Sequence, residues 1–244
     1  MISWRFECHE SLGSTSDLCK EKAEAGEDAG LVVQALSQTS GRGTRGRHWV
    51  DPGGNLAVSF LLHPHDPDAF IRALPFIAAL ALYESIRSFC ERVGVTAPLL
   101  LKWPNDLLLD GRKMAGILIE TGGPADGRWV VIGVGANLRK APDVPGRKLA
   151  ALSEWVAAPD PQAVCHELAQ QMERWMALWD GQGFASIRTE WLARAHPPGS
   201  RLAVQRCETY ITGSFSGLDE QGCLLLTLPE GTTIPVITGD ILLG

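Results

Sequence analysis

The chain has 244 residues, of which 45% are hydrophobic and 20% are charged, and its formal net charge is -6. This length and balance are typical of a globular protein with one large domain, or a large and a small one, and exclude a disordered chain. The negative net charge argues against a nonspecific nucleic-acid coat or an anionic membrane surface as a partner. We therefore expect neither nucleic acid nor membrane among its partners.

The cysteine pattern and the N-terminus indicate the compartment. Six cysteines are scattered along the chain, none as C-x-x-C and none near a histidine pair at zinc spacing. This pattern predicts free thiols in a reducing environment and no structural metal. The segment MISWRFECHE lacks a basic region followed by an apolar run, and the longest uncharged apolar run, 73–82, is too short to span a bilayer. We expect a soluble, cytoplasmic protein.

The first half of the chain predicts alternating helices and strands. Ser14 or Thr15 can cap a helix that ends near Ala25. Residues 31–36 and 55–62 have strand character, and the segment between them has turn chemistry throughout. A long apolar helix is predicted over 68–93, with Pro75 marking its start because proline is favoured in a first helical turn.

The second half predicts a hairpin, a strand, a helix and a small β domain. Asp110-Gly111 is a two-residue hairpin turn between 107–109 and 112–120. The remaining predictions are a strand at 128–137, an amphipathic helix at 161–180 and, after the break at 196–200, short strands with a turn at 219–222. The pattern indicates an α+β domain over 1–195 and a small β-barrel over 196–244.

The segment GRGTRGRHW, residues 41–49, has glycines at the spacing G-x-G-x-x-G. A dinucleotide-binding turn needs a helix directly afterwards, and none can grow through Pro52-Gly53-Gly54. A P-loop needs Lys and Ser/Thr where Arg47-His48 stand. What remains is a loop whose glycines bring backbone N–H groups close to a ligand and whose arginines suit carboxylates and phosphates. This combination of residues predicts an anion-binding loop. The alternative is an exposed basic turn that only contacts solvent.

Two further segments carry polar groups in otherwise apolar surroundings. In LKWPNDLLLDGRKMAGILIE, residues 101–120, Pro104 makes a rigid corner from which Lys102, Asn105 and Asp106 project. Asp106 suits a cation or Mg²⁺, Asn105 a base or sugar, and Lys113 lies in a strand fit for burial, where it needs an anionic partner. In VVIGVGANL, the glycines allow close approach of a ligand or of another backbone, and Asn137 offers a donor and an acceptor. No Ser-His-Asp arrangement or catalytic cysteine is evident.

Together these segments resemble the biotin–protein ligases. The family's glycine–arginine loop, KWPND corner, K-x-A-G-I-L-x-E strand and G-x-G-x-N strand end occur here in the same order as GRGTRGRHW, KWPNDLLL, KMAGILIE and GVGANL, with Ser14-Thr15 and Gln38 upstream. The resemblance is dense over residues 12–140, and the C-terminal segment is similar to the family's SH3-like barrel. It implies an α+β catalytic domain akin to class II aminoacyl-tRNA synthetases.

The resemblance implies a two-step reaction with biotin, ATP and Mg²⁺. Biotin's carboxylate attacks the α-phosphate of ATP to give biotinyl-AMP, and a lysine of a biotin carboxyl carrier protein then takes the biotinyl group. Cations are needed because two anions must meet. It also implies that Lys113 and Arg42 are catalytic. The biotin-binding residues are Ser14, Thr15, Ser16, Gln38, Gly41, Arg42, Gly43, Thr44, Lys113 and Gly116. The ATP-binding residues are Arg45, Arg47, Lys102, Asn105, Asp106 and Asn137, with Asp106 also a metal ligand.

Three departures from the family pattern and two alternatives accompany this interpretation. Thr44 and Ser16 stand where the family usually has Arg and Asn, and no helix-turn-helix module precedes the catalytic part. We therefore expect a monofunctional ligase without repressor activity. The resemblance to the family also makes a homodimer possible. Trp49 is expected to pack behind the loop. The alternatives are a lipoate or octanoate transferase of the same fold and a noncatalytic biotin or nucleotide sensor.

Overall fold

A large sheet forms the centre of the computed structural model, which describes residues 2–64, 67–124, 127–206 and 209–243. In chain order its seven described strands are β1 (Arg5–His9), β2 (Leu31–Ala35), β3 (Leu56–Leu62), β4 (Leu99–Lys102), β5 (Asp106–Leu109), β6 (Arg112–Gly122) and β7 (Trp129–Ala136). Their spatial order is β1-β2-β3-β7-β6-β5-β4. Among these strands β1 and β2 pair in parallel, and the other neighbours pair antiparallel. The predicted α+β class with a mixed sheet is confirmed.

Three α-helices within the described ranges cover the two faces of the large sheet. They are α1 (Thr15–Glu24), α2 (Pro67–Arg92) and α3 (Pro161–Leu192). Alternate side chains of a strand point to opposite faces, so Val32 joins the main core with α2 and α3, whereas Leu31 and Val33 pack with Cys19 of α1. Burial on both faces explains why β2 and β3 are apolar at nearly every position rather than alternating, with one buried polar residue each, Gln34 and Ser59.

The predicted start of the long helix at Pro75 is wrong. Helix α2 begins at Pro67, and Pro75 lies in its interior, where it cannot donate to the Ile71 carbonyl. The cost of the missing hydrogen bond is offset by burial on both sides of the proline, because Leu74 and Ile77 are fully buried. Packing against the sheet therefore outweighs the preference of proline for the first turn of a helix.

Helix α3 is longer than the predicted 161–180. It begins after the N-cap Asp160, whose carboxylate accepts from the Gln162 backbone N–H, and it continues to Leu192. Gly183 interrupts the helical backbone with φ at 70°, so the element consists of two helices joined at a kink. The sequence Asp180-Gly181-Gln182-Gly183 at the kink has two glycines and no apolar residue, which is why the pattern before it did not predict the second segment.

Two strands, β1 and β4, are absent from the sequence prediction. β1 reads RFECH and is largely exposed at one edge of the large sheet, so it lacks an apolar pattern. β4 at the opposite edge is four residues long and directly precedes the corner at Pro104. In contrast, the Asp110-Gly111 hairpin is confirmed, since both residues have positive φ, at 52° and 70°, and join β5 to β6.

The C-terminal part forms a second, small sheet. Its five described strands, all antiparallel to their neighbours, are β8 (Arg201–Arg206), β9 (Thr209–Leu218), β10 (Leu224–Thr227), β11 (Thr233–Val236) and β12 (Asp240–Leu243). The predicted turn at Asp219–Gly222 joins β9 to β10. No helix follows α3 in the described residues, as expected for the small β domain, and the boundary at 195/196 stays a prediction.

The small sheet is fixed to the rest of the molecule by specific contacts. The Trp103 indole N–H donates to the Gly222 carbonyl at 3.0 Å, and the Lys102 ammonium donates to the Ile241 carbonyl at 3.2 Å. Both donors belong to the corner between β4 and β5. The C-terminal sheet therefore borders the region that carries the predicted nucleotide-binding residues.

Helix α2 also has the length and composition of a membrane-spanning helix. Over the residues that the structure describes, one such helix is found, at Asp68–Arg92. Its apolar window is 72% buried inside the protein, which is the environment of a core helix.

Candidate active site

The glycine–arginine loop folds as a short hairpin. The Trp49 N–H donates to the Gly41 carbonyl at 2.9 Å and the Gly43 N–H to the Arg47 carbonyl at 2.8 Å. The tip is a single helical turn, Thr44–Gly46, in which Arg45 and Gly46 have positive φ. Gly46 suits this conformation because it lacks a Cβ atom. No helix follows, so the loop is neither a dinucleotide-binding turn nor a P-loop.

A small pocket lies between this hairpin, the start of α1 and the middle of β3, β6 and β7. Nine of the residues predicted to bind biotin line it: Ser14, Thr15, Ser16, Gln38, Arg42, Gly43, Thr44, Lys113 and Gly116. The tenth, Gly41, is buried beside the pocket, close to the Gln38 side chain. The walls between the polar groups are apolar and include Val58, Ile117 and Val134. A pocket with one polar end and apolar walls suits a ligand with a polar head and a hydrocarbon chain.

The polar end is built by the first turn of α1 and the chain before the hairpin. Gln38 Oε1 accepts from the Thr15 backbone N–H at 2.9 Å and from the Thr15 hydroxyl at 3.2 Å. Ser14 is the N-cap of α1, but its side chain makes no capping hydrogen bond among the described residues, and it faces the pocket. Its hydroxyl therefore remains directed towards a ligand rather than towards the helix end.

The expectation that Trp49 packs behind the loop stays a prediction; the residue lines the pocket, and its ring packs against β7. A methyl group added to Gly135 would lie 2.6 Å from the indole, and one added to Gly116 would lie 3.7 Å from it. The ring thus packs against Gly135, and this contact accounts for that glycine. At Gly116 the atom closest to an added methyl group is the Lys113 ammonium, at 3.1 Å, and the contact with the indole is an ordinary one.

Arg42 is held by acidic side chains at the rim of the pocket. Its guanidinium pairs with Asp17 of α1 and with Glu120 of β6, the latter at 2.7 Å. Lys20 joins the same cluster at 3.0 Å from Asp17. Burial alone would raise the pKa of Asp17, but Lys20 and Arg42 outweigh it and hold that pKa below its usual value. Arg42 is therefore held in a network of ion pairs that contains both acidic and basic side chains.

A wider cleft adjoins the pocket and is lined by an excess of cations. Arg47, Lys102, Asp106 and Asn105, four of the residues predicted to bind ATP, line this cleft together with Arg112, Lys113, Arg147 and Lys148. Six of these eight side chains are lysine or arginine. Such a cleft attracts a polyanion, and the sum of these charges explains how a protein with a negative net charge can bind one.

Asp106 lies between two lysines at the floor of the cleft. Its Oδ1 is 2.5 Å from the Lys113 ammonium and its Oδ2 is 3.0 Å from the Lys102 ammonium. Burial acts to raise the pKa of Asp106, yet the two ammonium groups hold it below its usual value. The expected anionic partner of Lys113 is thus Asp106. Since both carboxylate oxygens face lysines, a metal ion at Asp106 would have to displace at least one of them.

Two predicted ATP-binding residues do not line the cleft. Arg45 at the hairpin tip donates to the Thr238 hydroxyl of the small sheet at 3.1 Å. Asn137 is almost fully buried behind β6, where its Nδ2 donates to the Ala150 carbonyl at 3.2 Å. Their assignment to ATP stays a prediction, and in this structure they connect segments that surround the cleft.

Pocket and cleft meet at a shared border. Of the described residues, Thr44, Asn105 and Lys113 line both. Asn105 is fixed there because its Nδ2 donates to the Ile117 carbonyl at 2.6 Å. A group bound in the pocket and another bound in the cleft would therefore meet beside the Lys113 ammonium.

Several residues around the site were missed in the sequence. Ser59 contacts the polar end from behind, and the pair Arg147-Lys148 adds charge to the cleft. A serine within the apolar run NLAVSFLL was a signal for Ser59. The basic pair after Gly146 had no such context, because only the fold brings residues 147–148 back to β6, where the Lys113 N–H donates to the Lys148 carbonyl.

The fold and the two-part site define a class of protein, which sequence comparison identifies. The model described as "Biotin/lipoate A/B protein ligase family" matches residues 9–137, and the chain belongs to this family. A second model, "Biotin protein ligase C terminal domain", matches residues 204–244.

Curated relatives narrow the class to the biotin ligases. A biotin–[acetyl-CoA-carboxylase] ligase of Paracoccus denitrificans is 41% identical over 209 residues, which cover 83% of this chain and 86% of that protein. One from Mycobacterium tuberculosis is 32% identical over 233 residues, with 94% and 85% covered. The predicted resemblance to biotin–protein ligases is confirmed.

Solved structures show the same fold. The biotin protein ligase from Aquifex aeolicus in complex with biotin and ATP superposes with a TM-score of 0.81 at 24% identity, covering 98% of both chains. The biotin protein ligase from Leishmania major in complex with biotinyl-5-AMP gives a TM-score of 0.67 at 21% identity, covering 96% of this chain and 99% of that one. These likenesses extend over both sheets.

Proposed function

We propose that this protein is an ATP-dependent ligase that joins biotin to a lysine of a biotin carboxyl carrier domain through biotinyl-AMP. The observation that carries the proposal is the shared border of pocket and cleft at Lys113, Asn105 and Thr44. A carboxylate from the pocket and a phosphate from the cleft would meet there, next to a lysine. Membership of the family and the related ligases support the same reaction.

In the first step a carboxylate oxygen of biotin forms a bond to the α-phosphorus of ATP. The bond from that phosphorus to the β-bridging oxygen breaks, and pyrophosphate leaves with the electron pair. Lys113 lines both pocket and cleft, so it would lie beside both anions and offset their repulsion, and the cations of the cleft would stabilise the charge that develops on pyrophosphate. Asp106 holds Lys102 and Lys113 in place before either anion arrives.

In the second step the neutral amine of the carrier lysine attacks the acyl carbon of biotinyl-AMP. The amide bond forms, the bond to the phosphate oxygen breaks, and AMP leaves while the amine loses its proton. The hairpin covers the pocket side of this border, because Arg42, Gly43 and Thr44 all line the pocket. A cover over a reactive acyl phosphate limits its hydrolysis by water.

The predicted use of Mg²⁺ rests on the chemistry of ATP. No cluster of three or more His, Cys, Asp or Glu side chains occurs in the part of the chain that the structure describes, and Asp106 faces two lysines. The protein groups therefore do not form a metal site by themselves, and we assign no step to one. Phosphate oxygens would supply the ligands that Mg²⁺ prefers.

The finer assignments of partner and location are also proposals. The net charge of -6 supports a protein without a nucleic-acid partner, and the scattered free thiols support a cytoplasmic location. A homodimer would use a free sheet edge, and β1 and β4 are the edges of the large sheet.

The polar end of the pocket disfavours the alternative acids. Octanoate and lipoate have no hydrogen-bonding head group, so either would leave the Ser14 hydroxyl, which makes no capping hydrogen bond, without a partner when it displaced water. A noncatalytic sensor would need no lysine at the border, and Lys113 lies there. Both observations favour a biotin ligase.

The test measures the formation of pyrophosphate from ATP when biotin, octanoate or lipoate is added in the absence of a carrier protein. Biotin should give one equivalent of pyrophosphate and of tightly held biotinyl-AMP per protein, whereas octanoate and lipoate should give neither. Pyrophosphate formation with octanoate but not biotin would favour the acyl transferase. Binding of biotin without pyrophosphate, by correctly folded protein, would favour the sensor.

A further inference from the structure

Ser59 lies directly behind the polar end of the pocket. It is the one polar residue of β3, a strand buried at every position, and it is fully buried itself. Its hydroxyl oxygen is 2.8 Å from Thr15 Oγ1 and 3.0 Å from Ser16 Oγ, and both of these side chains line the pocket. A methyl group on Gly133 would lie 2.5 Å from Ser16 Oγ, so this glycine admits the contact.

The direction of this hydrogen-bond chain is fixed at Gln38. The Thr15 backbone N–H, which can only donate, is 2.9 Å from one end of the Gln38 amide, so that end is the oxygen. An amide oxygen carries no proton. The Thr15 hydroxyl, at 3.2 Å from the same oxygen, must therefore donate its proton to Gln38.

Each hydroxyl has a single proton, so the direction passes along the chain. Because the proton of Thr15 is directed to Gln38, the contact between Thr15 and Ser59 requires Ser59 to donate. The contact between Ser59 and Ser16 then requires Ser16 to donate to Ser59. All three protons are therefore taken up within the chain of hydrogen bonds, and the oxygens of Thr15 and Ser16 present lone pairs to the pocket.

We infer that Ser59 is a positioning residue that makes the polar end of the pocket an acceptor surface, selecting a ligand head group by its N–H donors. A ureido ring has two such N–H groups. A head group with an oxygen in place of an N–H would bring two lone pairs together, which costs a buried hydrogen bond and adds repulsion. This inference rests on the proposed function, because it explains how the same pocket recognises the ring of biotin.

The test compares biotin with the two cyclic carbamates in which one or the other ureido N–H is replaced by oxygen. Dissociation constants are measured by calorimetry for the wild type, Ser59→Ala and the control Ser85→Ala. Ser85 is also fully buried, but it lies in α2 and donates to the Ala81 carbonyl. The wild type and the control should bind at least one carbamate roughly 10- to 100-fold more weakly than biotin.

In Ser59→Ala the proton of Ser16 loses its acceptor and can turn towards the ligand. The preference for biotin over that carbamate should then fall by about tenfold, while the affinity for biotin itself changes by less than about tenfold. A loss of packing alone would weaken both ligands equally and leave the ratio unchanged. Ser59→Cys, whose sulfur is a weaker acceptor for the Ser16 proton than a hydroxyl oxygen, should give an intermediate ratio.

The outcomes separate this inference from the proposed function. An unchanged ratio in both Ser59 variants, with tight biotin binding by the wild type, overturns the role of Ser59 and leaves the ligase proposal standing. Failure of the wild type to bind biotin overturns both. If Ser59→Ala does not fold, the ratio measured with Ser59→Cys decides.

Discussion

The Asp106 carboxylate between Lys102 and Lys113 is the strongest electrostatic feature at the level of single residues. Asn at this position would leave two ammonium groups facing each other, so Asp106→Asn should lower the free energy of unfolding by about 2 kcal/mol at pH 7. The value is below that of a fully buried pair because both lysines are partly exposed. Urea denaturation measures it.

The pH dependence of this loss follows from the pKa of Asp106. That pKa is lower in the folded protein than its ordinary value of 3.8, so the stabilisation is complete above 3.8 and is lost as the pH falls through the folded value. The difference between wild type and Asp106→Asn should therefore shrink as the pH falls below 3.8. A difference that stays constant over this range would contradict the assignment. Asp143→Asn, an exposed position, is the matched control.

Thr44 is the second residue with a specific consequence. It lines both pocket and cleft, and its hydroxyl accepts from the Arg47 guanidinium at 3.3 Å. Because the family usually has arginine here, one cation is missing above the adenylate. Thr44→Arg should slow the release of biotinyl-AMP by about three- to tenfold, because the added guanidinium would form one ion pair with the phosphate. A filter-retention assay measures this release. Equal release rates from this variant, the wild type and the distant control Thr232→Arg would refute the effect.

Much of the site could be predicted from single residues, and the limit has a physical reason. Lys113 was identified because a lysine is out of place in a strand fit for burial, and Gln38 because it matches the family pattern. Ser59 was missed, and which strand contacts Trp49 was not predicted, since both depend on contacts between distant segments. For Trp49 the decisive contact is with Gly135, on a strand 86 positions later in the chain.

At the level of elements, β7 carries a glycine that the Trp49 ring requires. A methyl group on Gly135 would lie 2.6 Å from the indole, so Gly135→Ala should displace the ring, weaken biotin binding roughly tenfold and lower stability by about 1–3 kcal/mol. Gly181→Ala in α3 is the control, because no described atom lies within 4 Å of the added methyl group. It should leave binding unchanged and raise stability by about 0.5–1 kcal/mol. Calorimetry and urea denaturation report both quantities, and unimpaired biotin binding by Gly135→Ala would contradict the packing.

The elements themselves were predictable where local pattern and burial agree. The Asp110-Gly111 hairpin was correct because its turn residues determine their own conformation. The start of α2 was wrong because burial along a 26-residue helix outweighs one interior proline. β1 was missed because an exposed edge strand has no apolar periodicity and is defined by its pairing with β2. Local sequence holds no information on such a partner.

At the level of the whole molecule, the two sheets are joined through Gly222. Its φ is +83°, and an added methyl group would lie 2.8 Å from the Phe76 ring of α2. Gly231 has a similar φ of +91° but no described atom within 4 Å. The strain from the positive φ should therefore be similar in Gly222→Ala and Gly231→Ala. The free energy of unfolding, measured in urea, should be about 1–3 kcal/mol lower for Gly222→Ala because of the additional clash. Equal stability of the two variants would mean that the turn of the small sheet does not pack against α2 at this contact.

The same junction connects stability with the site. Trp103 and Lys102 form their bonds to the small sheet from the corner that also holds Asp106. The order of these segments in the chain could be predicted, but their contact could not, because it forms between residues more than 100 positions apart. Long-range contacts of this kind decide which charges face the cleft.

The central claim is that pocket and cleft together activate biotin and pass it to a carrier lysine. The most direct measurement is the intact mass of a biotin carboxyl carrier domain after incubation with the protein, ATP, Mg²⁺ and biotin. One biotinyl group per carrier is predicted, with none when ATP is omitted and a rate at least roughly 100-fold lower for Lys113→Met, which removes the charge between the two anions. An unmodified carrier, with folded protein and a carrier that a known biotin ligase can label, would contradict the account.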